Sequence, residues 1–179
     1  MSTISDRLNN IPITKHFIGF GEASIYNTVD KIHQIVKISS NNPYIRKWAE
    51  QIIENVPAKD KVGEVSAIHD FVKWHVRYTK DPLGMEYVQT PLILLKQIEQ
   101  NETPMGDCDD MTTLSLSLYR SIGYPVATKV TAYNRKGDFS HIYGLVMINN
   151  MWIPSDTTMS SYNFGWEAPT MTKIFEKPI

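Results

Sequence analysis

The sequence contains a single cysteine, Cys108, among 179 residues, so the chain cannot form an internal disulfide. Its formal net charge is −1, from 18 basic and 19 acidic side chains, and this balance provides no strong field to attract a nucleic acid or an anionic membrane. No stretch approaches the run of about 18 apolar residues that a membrane span requires. The N-terminus also lacks the basic and apolar regions of a signal peptide. We therefore expect a protein of a reducing compartment.

The composition is that of a globular protein with a hydrophobic core. Hydrophobic residues make up 42% of a chain that is long enough for one domain, so neither a disulfide nor a metal is needed for folding. We expect an N-terminal arm over residues 1–21, a single domain over 22–179, and no bound cofactor or metal.

Apolar residues recur at intervals of three or four in five segments, which is the pattern of amphipathic helices. Proline at a first turn, and glycine or proline beyond a last turn, mark several of the boundaries. The predicted helices cover residues 22–38, 43–55, 61–76, 91–98 and 108–122.

The character of the sequence changes after the last of these helices. Valine, threonine and aromatic residues predict strands over 125–133, 139–148 and 151–154, and the last two are joined by a tight Asn149-Asn150 turn. The tail that follows has no clear period. Helices first and an antiparallel sheet afterwards indicate an α+β fold rather than an alternating α/β fold.

Cys108 opens the last predicted helix, within Gly106-Asp107-Cys108-Asp109-Asp110. A thiolate at a helix start is stabilised by backbone N–H groups and by the positive end of the helix dipole, so Cys108 is a candidate nucleophile. The acidic neighbours have two interpretations: Asp107 can cap the helix, or the three carboxylates can gather a divalent cation. Capping is favoured, although three negative charges oppose formation of the thiolate.

His141 and Asp156 are candidate partners for this thiol because they flank the predicted two-residue turn. Pairing the two strands about Asn149 and Asn150 puts His141 opposite position 158, which makes Asp156 a diagonal neighbour. An imidazole can take the thiol proton, and a carboxylate can fix the imidazole tautomer. The alternatives are a histidine in the core and an aspartate that begins a turn.

Attack on an amide carbonyl also requires hydrogen-bond donors for the developing oxyanion. The backbone N–H of Cys108 is the first candidate. Gln89 and Tyr87, which precede the fourth predicted helix, are candidate side-chain donors or substrate-binding residues. His69 and His75 lie six residues apart on one helix and do not share a close face, so a metal pair there is not expected.

Several of these motifs, in this order, resemble the transglutaminase-like superfamily within the papain-like cysteine peptidase group. The resemblance implies a core over about 61–158, with a nucleophilic cysteine at a helix N-terminus. In that family the three roles are nucleophile, base and orienting acid, which implies these roles for Cys108, His141 and Asp156. The motifs are Trp74-His75-Val76-Arg77-Tyr78, Asp81-Pro82-Leu83-Gly84, Gly106-Asp107-Cys108-Asp109-Asp110, Ser140-His141-Ile142-Tyr143 and Trp152-Ile153-Pro154-Ser155-Asp156-Thr157.

The segment Glu86-Tyr87-Val88-Gln89-Thr90-Pro91 ahead of the cysteine motif is similar to that of small members encoded in bacteriophage and prophage genomes. The resemblance implies an acyl-enzyme reaction, with hydrolysis of an amide in a peptide or in peptidoglycan as the expected outcome. The alternative is a virion-associated or assembly protein that uses the fold as a non-catalytic binding module, with phage structural proteins as partners. We expect the host cytoplasm or the virion as the location, and no nucleic-acid or membrane partner.

Overall fold

A computed structural model describes residues 22–81 and 87–179. The predicted arm over 1–21, and most of the Asp81-Pro82-Leu83-Gly84 motif, lie outside these described residues. Helices come first and the larger sheet follows, so the predicted α+β fold is confirmed. The helices are α1 (Glu22–Ser39), α2 (Pro43–Ile52), α3 (Lys61–His75), α4 (Pro91–Glu99) and α5 (Cys108–Ser121).

All five predicted helices are present, and only the end of α2 differs by more than one residue. The prediction extended this helix to Asn55, but it ends at Ile52. The backbone that follows forms hydrogen bonds between residues three apart instead of four, such as that from the Glu54 N–H to the Gln51 carbonyl. No helix within the described ranges is long and apolar enough to cross a bilayer.

Within the described residues, six strands form two sheets. A four-stranded antiparallel sheet has the order β5-β4-β3-β6, and a short parallel pair joins β1 to β2. The strands are β1 (Arg77–Tyr78), β2 (Met105–Gly106), β3 (Val126–Ala132), β4 (Phe139–Ile148), β5 (Met151–Ser155) and β6 (Lys173–Pro178).

The predicted hairpin is confirmed down to its register. Asn149 and Asn150 have φ angles of 51° and 62°, the left-handed conformation that suits a two-residue hairpin turn. Ile148 pairs with Met151, and the pairing continues unchanged to Gly144 and Ser155. Extended by three residues, the same register puts His141 opposite Thr158, as predicted.

β6 was not predicted, because the tail shows no continuous apolar face. Its residues alternate between half-buried and exposed, and it pairs along the whole of β3, from Ala127 with Pro178 to Ala132 with Lys173. Lys173, Glu176 and Lys177 occupy three of its six positions, so the apolar signal is weak even though the strand completes the sheet.

α5 is the central element of the fold. It was predicted to be amphipathic, but 12 of its 14 residues are buried, since α1, α2 and α3 pack around it and β4 covers another side. Its hydroxyl side chains are accommodated by bonding to the helix backbone: Ser115 donates to the Thr112 carbonyl at 3.0 Å, and Ser117 to the Thr113 carbonyl at 2.7 Å. This central position fixes the N-terminus of α5 against the rest of the domain.

Gly144 allows α5 to approach β4 closely. A Cβ atom at this position would lie 2.7 Å from Cδ2 of the fully buried Leu116. Two carbon atoms that are not bonded to each other do not tolerate that distance, and the surrounding core leaves little room for the leucine to move. The glycine therefore sets the spacing between the helix that carries Cys108 and the strand that carries His141.

We expect Gly144→Ala to lower the free energy of unfolding by about 1–3 kcal/mol, because the added methyl group overpacks this contact. In a Leu116→Ala background the same substitution should cost less, since the clashing atoms are gone. Urea denaturation of the wild type, both single variants and the double variant measures the coupling. An equal loss of unfolding free energy on Gly144→Ala in both backgrounds would show that the added methyl group does not clash with Leu116.

Candidate active site

The start of α5 is fixed by a reciprocal pair of hydrogen bonds. The Asp107 carboxylate accepts from the Asp109 backbone N–H at 3.2 Å, and the Asp110 carboxylate accepts from the Asp107 backbone N–H at 3.3 Å. These bonds form a capping box, so the predicted N-cap role of Asp107 is confirmed. Cys108 is the first residue of the helix and is half-buried, in the positive end of the helix dipole.

Gln89 ties this helix start to the segment before α4. Its backbone N–H donates to Oδ1 of Asp110 at 2.6 Å, and its side-chain Nε2 donates to Oδ2 of Asp110 and to the Met105 carbonyl, both at 2.8 Å. Both hydrogens of the amide nitrogen are thereby used. Gln89 could serve as an oxyanion donor only if one of these bonds broke, so this geometry favours a positioning role.

Gly106 is required by the same arrangement. A Cβ atom there would lie 2.7 Å from Cβ of Asp110, so a larger residue would push the capping carboxylate away. Burial, with a smaller contribution from the charge of Asp107, raises the pKa of Asp110 to about 6, although hydrogen bonds from Gln89 and Asp107 oppose the shift. The glycine and the buried acid of the Gly-Asp-Cys-Asp-Asp motif therefore shape the helix start on which Cys108 sits.

His141 and Asp156 are hydrogen-bonded, with Nε2 of the histidine 2.7 Å from Oδ2 of the aspartate. The other carboxylate oxygen, Oδ1, accepts from the Thr158 backbone N–H at 3.1 Å and from its hydroxyl at 2.7 Å. Burial raises the pKa of Asp156, but the hydrogen bonds and the charge of His141 outweigh it and hold that pKa below its usual value. An ionised Asp156 orients the ring so that Nδ1 is the nitrogen left for proton exchange.

A β-bulge directs His141. Thr131 of β3 pairs with His141, whereas the next residue, Ala132, pairs with Phe139, so Ser140 is an extra residue in β4. Bulges turn the local strand and re-aim its side chains. The sequence gives no local signal for this one, because it arises from how β4 is paired.

Two tyrosines flank the His141 ring, with centroids at 6.4 Å for Tyr133 and 5.6 Å for Tyr143. The Tyr143 hydroxyl is itself held by Glu167, at 2.5 Å, and the same carboxylate oxygen lies 2.7 Å from Nζ of the buried Lys129. This network joins the loop before β6 to the sheet and limits the movement of the imidazole.

A buried polar chain supports the end of β5 next to Asp156. Nδ1 of His69 lies 3.1 Å from the Ser155 hydroxyl, which lies 2.8 Å from the Tyr119 hydroxyl. All three residues are buried. Burial lowers the pKa of His69 to about 4, so this histidine is neutral at pH 7 and acts within the hydrogen-bonded core.

Cys108 and His141 line the same open cleft, which has a volume of about 350 Å³. Its lining combines several apolar residues of α1 and the sheet with the polar and charged side chains of Tyr78, Lys80, Asp107 and Asp109. Of the predicted site residues, Cys108 and His141 thus line the cleft and Asp156 is bonded to His141. Gln89 and Tyr87 are not among the lining residues, whereas Lys80 lines the cleft and was not predicted. The apolar lining residues are Ile25, Val29, Val130, Phe139 and Ile142.

Asp107, Cys108 and Asp109 offer ligand atoms within 4.8 Å of one another, the spacing of a possible metal site among the described residues. A cation held there would use the Cys108 sulfur as a ligand and remove it as a free nucleophile. The Asp107 carboxylate is already used in the capping box. Capping accounts for this carboxylate without a metal.

Fold and site together define an α+β protein of papain-like arrangement, with a cysteine at the N-terminus of a central helix and a histidine–aspartate pair on an antiparallel sheet. The family model of the transglutaminase-like superfamily matches residues 46–157, more than half of the sequence. The chain belongs to the transglutaminase-like superfamily. No curated protein sequence matches it.

Two solved structures share the fold. One, described as a candidate cysteine protease from Cytophaga hutchinsonii, has 17% identity and a TM-score of 0.52, over 83% of this chain and 53% of that chain. The other, a candidate protease from Parabacteroides distasonis, has 10% identity and a TM-score of 0.53, over 72% of this chain and 26% of that one. This chain therefore matches about half of the first structure and about a quarter of the second.

Three buried groups give the stability a defined dependence on pH. His69 of α3 and His33 of α1 have pKa values lowered to about 4 by burial, whereas the pKa of Asp110 is raised to about 6. Between about pH 6.5 and 4 the unfolded chain binds protons at both histidines that the folded chain does not, so stability falls as the pH falls. The raised pKa of Asp110 has the opposite effect on stability and offsets the contribution of one of the two histidines.

We therefore expect the free energy of unfolding to fall by about 2 kcal/mol between pH 7 and pH 5. Replacing His33, which bonds to the Thr128 hydroxyl at 2.9 Å, by glutamine should reduce this fall to less than about 1 kcal/mol, because one of the two titrating histidines is removed. Urea denaturation at the two pH values measures both slopes. Identical slopes in the wild type and His33→Gln would show that His33 is not the group that titrates.

Proposed function

We propose that this protein is a cysteine enzyme that uses Cys108, His141 and Asp156 as a catalytic triad and passes through an acyl-enzyme intermediate. The observation that carries the proposal is the 2.7 Å bond between His141 and Asp156 beside a cleft that Cys108 also lines. Membership of the transglutaminase-like superfamily supports an enzymatic role.

The proposed reaction begins when the Cys108 thiol gives its proton to Nδ1 of His141. The thiolate attacks the carbonyl carbon of an amide, the C–S bond forms, and the oxyanion accepts a hydrogen bond from the Cys108 backbone N–H. His141 then returns its proton to the leaving nitrogen, and the C–N bond breaks. Asp156 stabilises the imidazolium throughout because it is ionised and bonded to Nε2.

The acyl-enzyme can be resolved by water, which gives hydrolysis, or by an amine, which gives acyl transfer. We propose hydrolysis of an amide in a peptide or in peptidoglycan. The apolar residues of the cleft lining support such a substrate, because they can bury a side chain in the cleft that Cys108 and His141 also line. Release of products from generic peptides and from peptidoglycan fragments separates the two substrate classes.

The triad is tested by alkylation with iodoacetamide at pH 7, which reports on Cys108 alone because the chain has no other cysteine. We expect the wild type to react about tenfold or more faster than a free thiol, since an ordinary thiol is only a few per cent ionised at this pH. His141→Ala should remove this advantage, and Asp156→Asn should reduce it.

His75→Ala is the matched control, because His75 is an exposed histidine outside the cleft. It should react at the rate of the wild type. Equally slow alkylation of the wild type and His141→Ala would contradict the triad, and would leave the fold serving as a non-catalytic binding module, such as that of a phage virion or assembly protein.

A further inference from the structure

Tyr78 lies beside the nucleophile because of the short parallel pairing of β1 with β2. Tyr78 pairs with Gly106, two residues before Cys108. Backbone bonds of 2.9 Å on either side, from the Arg77 N–H to the Pro104 carbonyl and from the Thr79 N–H to the Gly106 carbonyl, hold the strand in place. The position of Tyr78 relative to the start of α5 is therefore set by the backbone and not by side-chain packing alone.

The Tyr78 side chain lines the cleft with Cys108 and His141, and 44% of its surface is exposed. Its hydroxyl makes no hydrogen bond within residues 22–81 and 87–179. Other tyrosines near the sheet and helices use theirs: Tyr143 donates to Glu167 and Tyr124 to Glu64, each at 2.5 Å. The hydroxyl of Tyr78 is available to a bound molecule.

The electrostatic surroundings keep this hydroxyl protonated. Partial burial raises the pKa of Tyr78 above its ordinary value, and negative charge at Cys108, followed by Asp107 and Asp109, raises it further. The contribution of Cys108 agrees with the position of both residues in one cleft. At neutral pH Tyr78 therefore keeps its proton, so its hydroxyl can donate a hydrogen bond and does not compete with Cys108 as an anion.

We propose that the Tyr78 hydroxyl is the side-chain donor that stabilises the oxyanion formed when Cys108 attacks a carbonyl group. This inference rests on the proposed function of the Cys108 site. When the C–S bond forms, the π electrons of the carbonyl move onto oxygen, which accepts hydrogen bonds from the Tyr78 hydroxyl and the Cys108 backbone N–H. No proton leaves Tyr78, and its bond weakens again when the carbonyl re-forms and the leaving group departs.

Tyr78 is a better candidate than the donors predicted from the sequence. The Gln89 amide already donates both hydrogens to Asp110 and Met105, and Tyr87 is not among the residues that line the cleft. Among the residues that the structure describes, Tyr78 combines a position in the cleft with an available hydroxyl and a backbone pairing next to the Gly-Asp-Cys motif.

Two electrophiles separate this role from a general effect on the thiol. Acylation by p-nitrophenyl acetate passes through an oxyanion, whereas alkylation by iodoacetamide does not, so only the first needs an oxyanion donor. We expect Tyr78→Phe to slow the acylation, followed as the burst of nitrophenol, by about 10- to 100-fold while the alkylation rate is unchanged. Cys108→Ala gives the background rate that is subtracted.

Tyr162→Phe is the matched control, because Tyr162 has the same 44% exposure and lies outside the cleft lining. It should match the wild type with both reagents. Tyr87→Phe is measured in parallel as the competing donor.

An unchanged acylation rate in Tyr78→Phe would overturn the inference, as would a loss confined to Tyr87→Phe. An equal loss with both electrophiles would also overturn it, since Tyr78 would then act on the thiolate. A wild type with no burst above that of Cys108→Ala would instead overturn the proposed function itself.

Discussion

The buried carboxylate of Asp110 connects the segments that form the start of α5. It accepts hydrogen bonds from the Gln89 backbone, the Gln89 side chain and the Asp107 backbone, and so joins α5 to the segment before α4 and to the turn that precedes Cys108. Burial of this acid is unfavourable for its charge, which is why its pKa is raised. The bonds compensate for the lost water and fix the direction in which the first turn of α5 points.

The second part of the site comes from the sheet and is fixed separately. The hairpin register brings Asp156 diagonally opposite His141, the bulge at Ser140 turns the histidine, and Tyr143 holds one side of its ring. The two parts are brought together where α5 packs on β4, and Gly144 allows their close approach. The cysteine and the histidine can therefore share a cleft although 33 residues separate Cys108 from His141 in the sequence.

Much of this arrangement could be predicted from the sequence wherever a short segment determines its own conformation. The Asp107 cap and the Asn149-Asn150 turn each specify a boundary or a register through short-range geometry, and both predictions are confirmed. The strand β6 could not be predicted, because charged residues occupy three of its six positions and leave no continuous apolar pattern. The bulge at Ser140 also escaped prediction, since it depends on the pairing of β4 with β3.

We propose that the environment of Cys108 yields a thiolate at neutral pH with the help of His141. Because Cys108 is the only cysteine, the ultraviolet absorbance of the thiolate, titrated with pH, reports on this one group. We expect substantial thiolate absorbance at pH 7 that is lost, after correction for tyrosine, when His141 is replaced by alanine. Absorbance that rises only above about pH 8.5 in both proteins, as for an ordinary thiol, would contradict it.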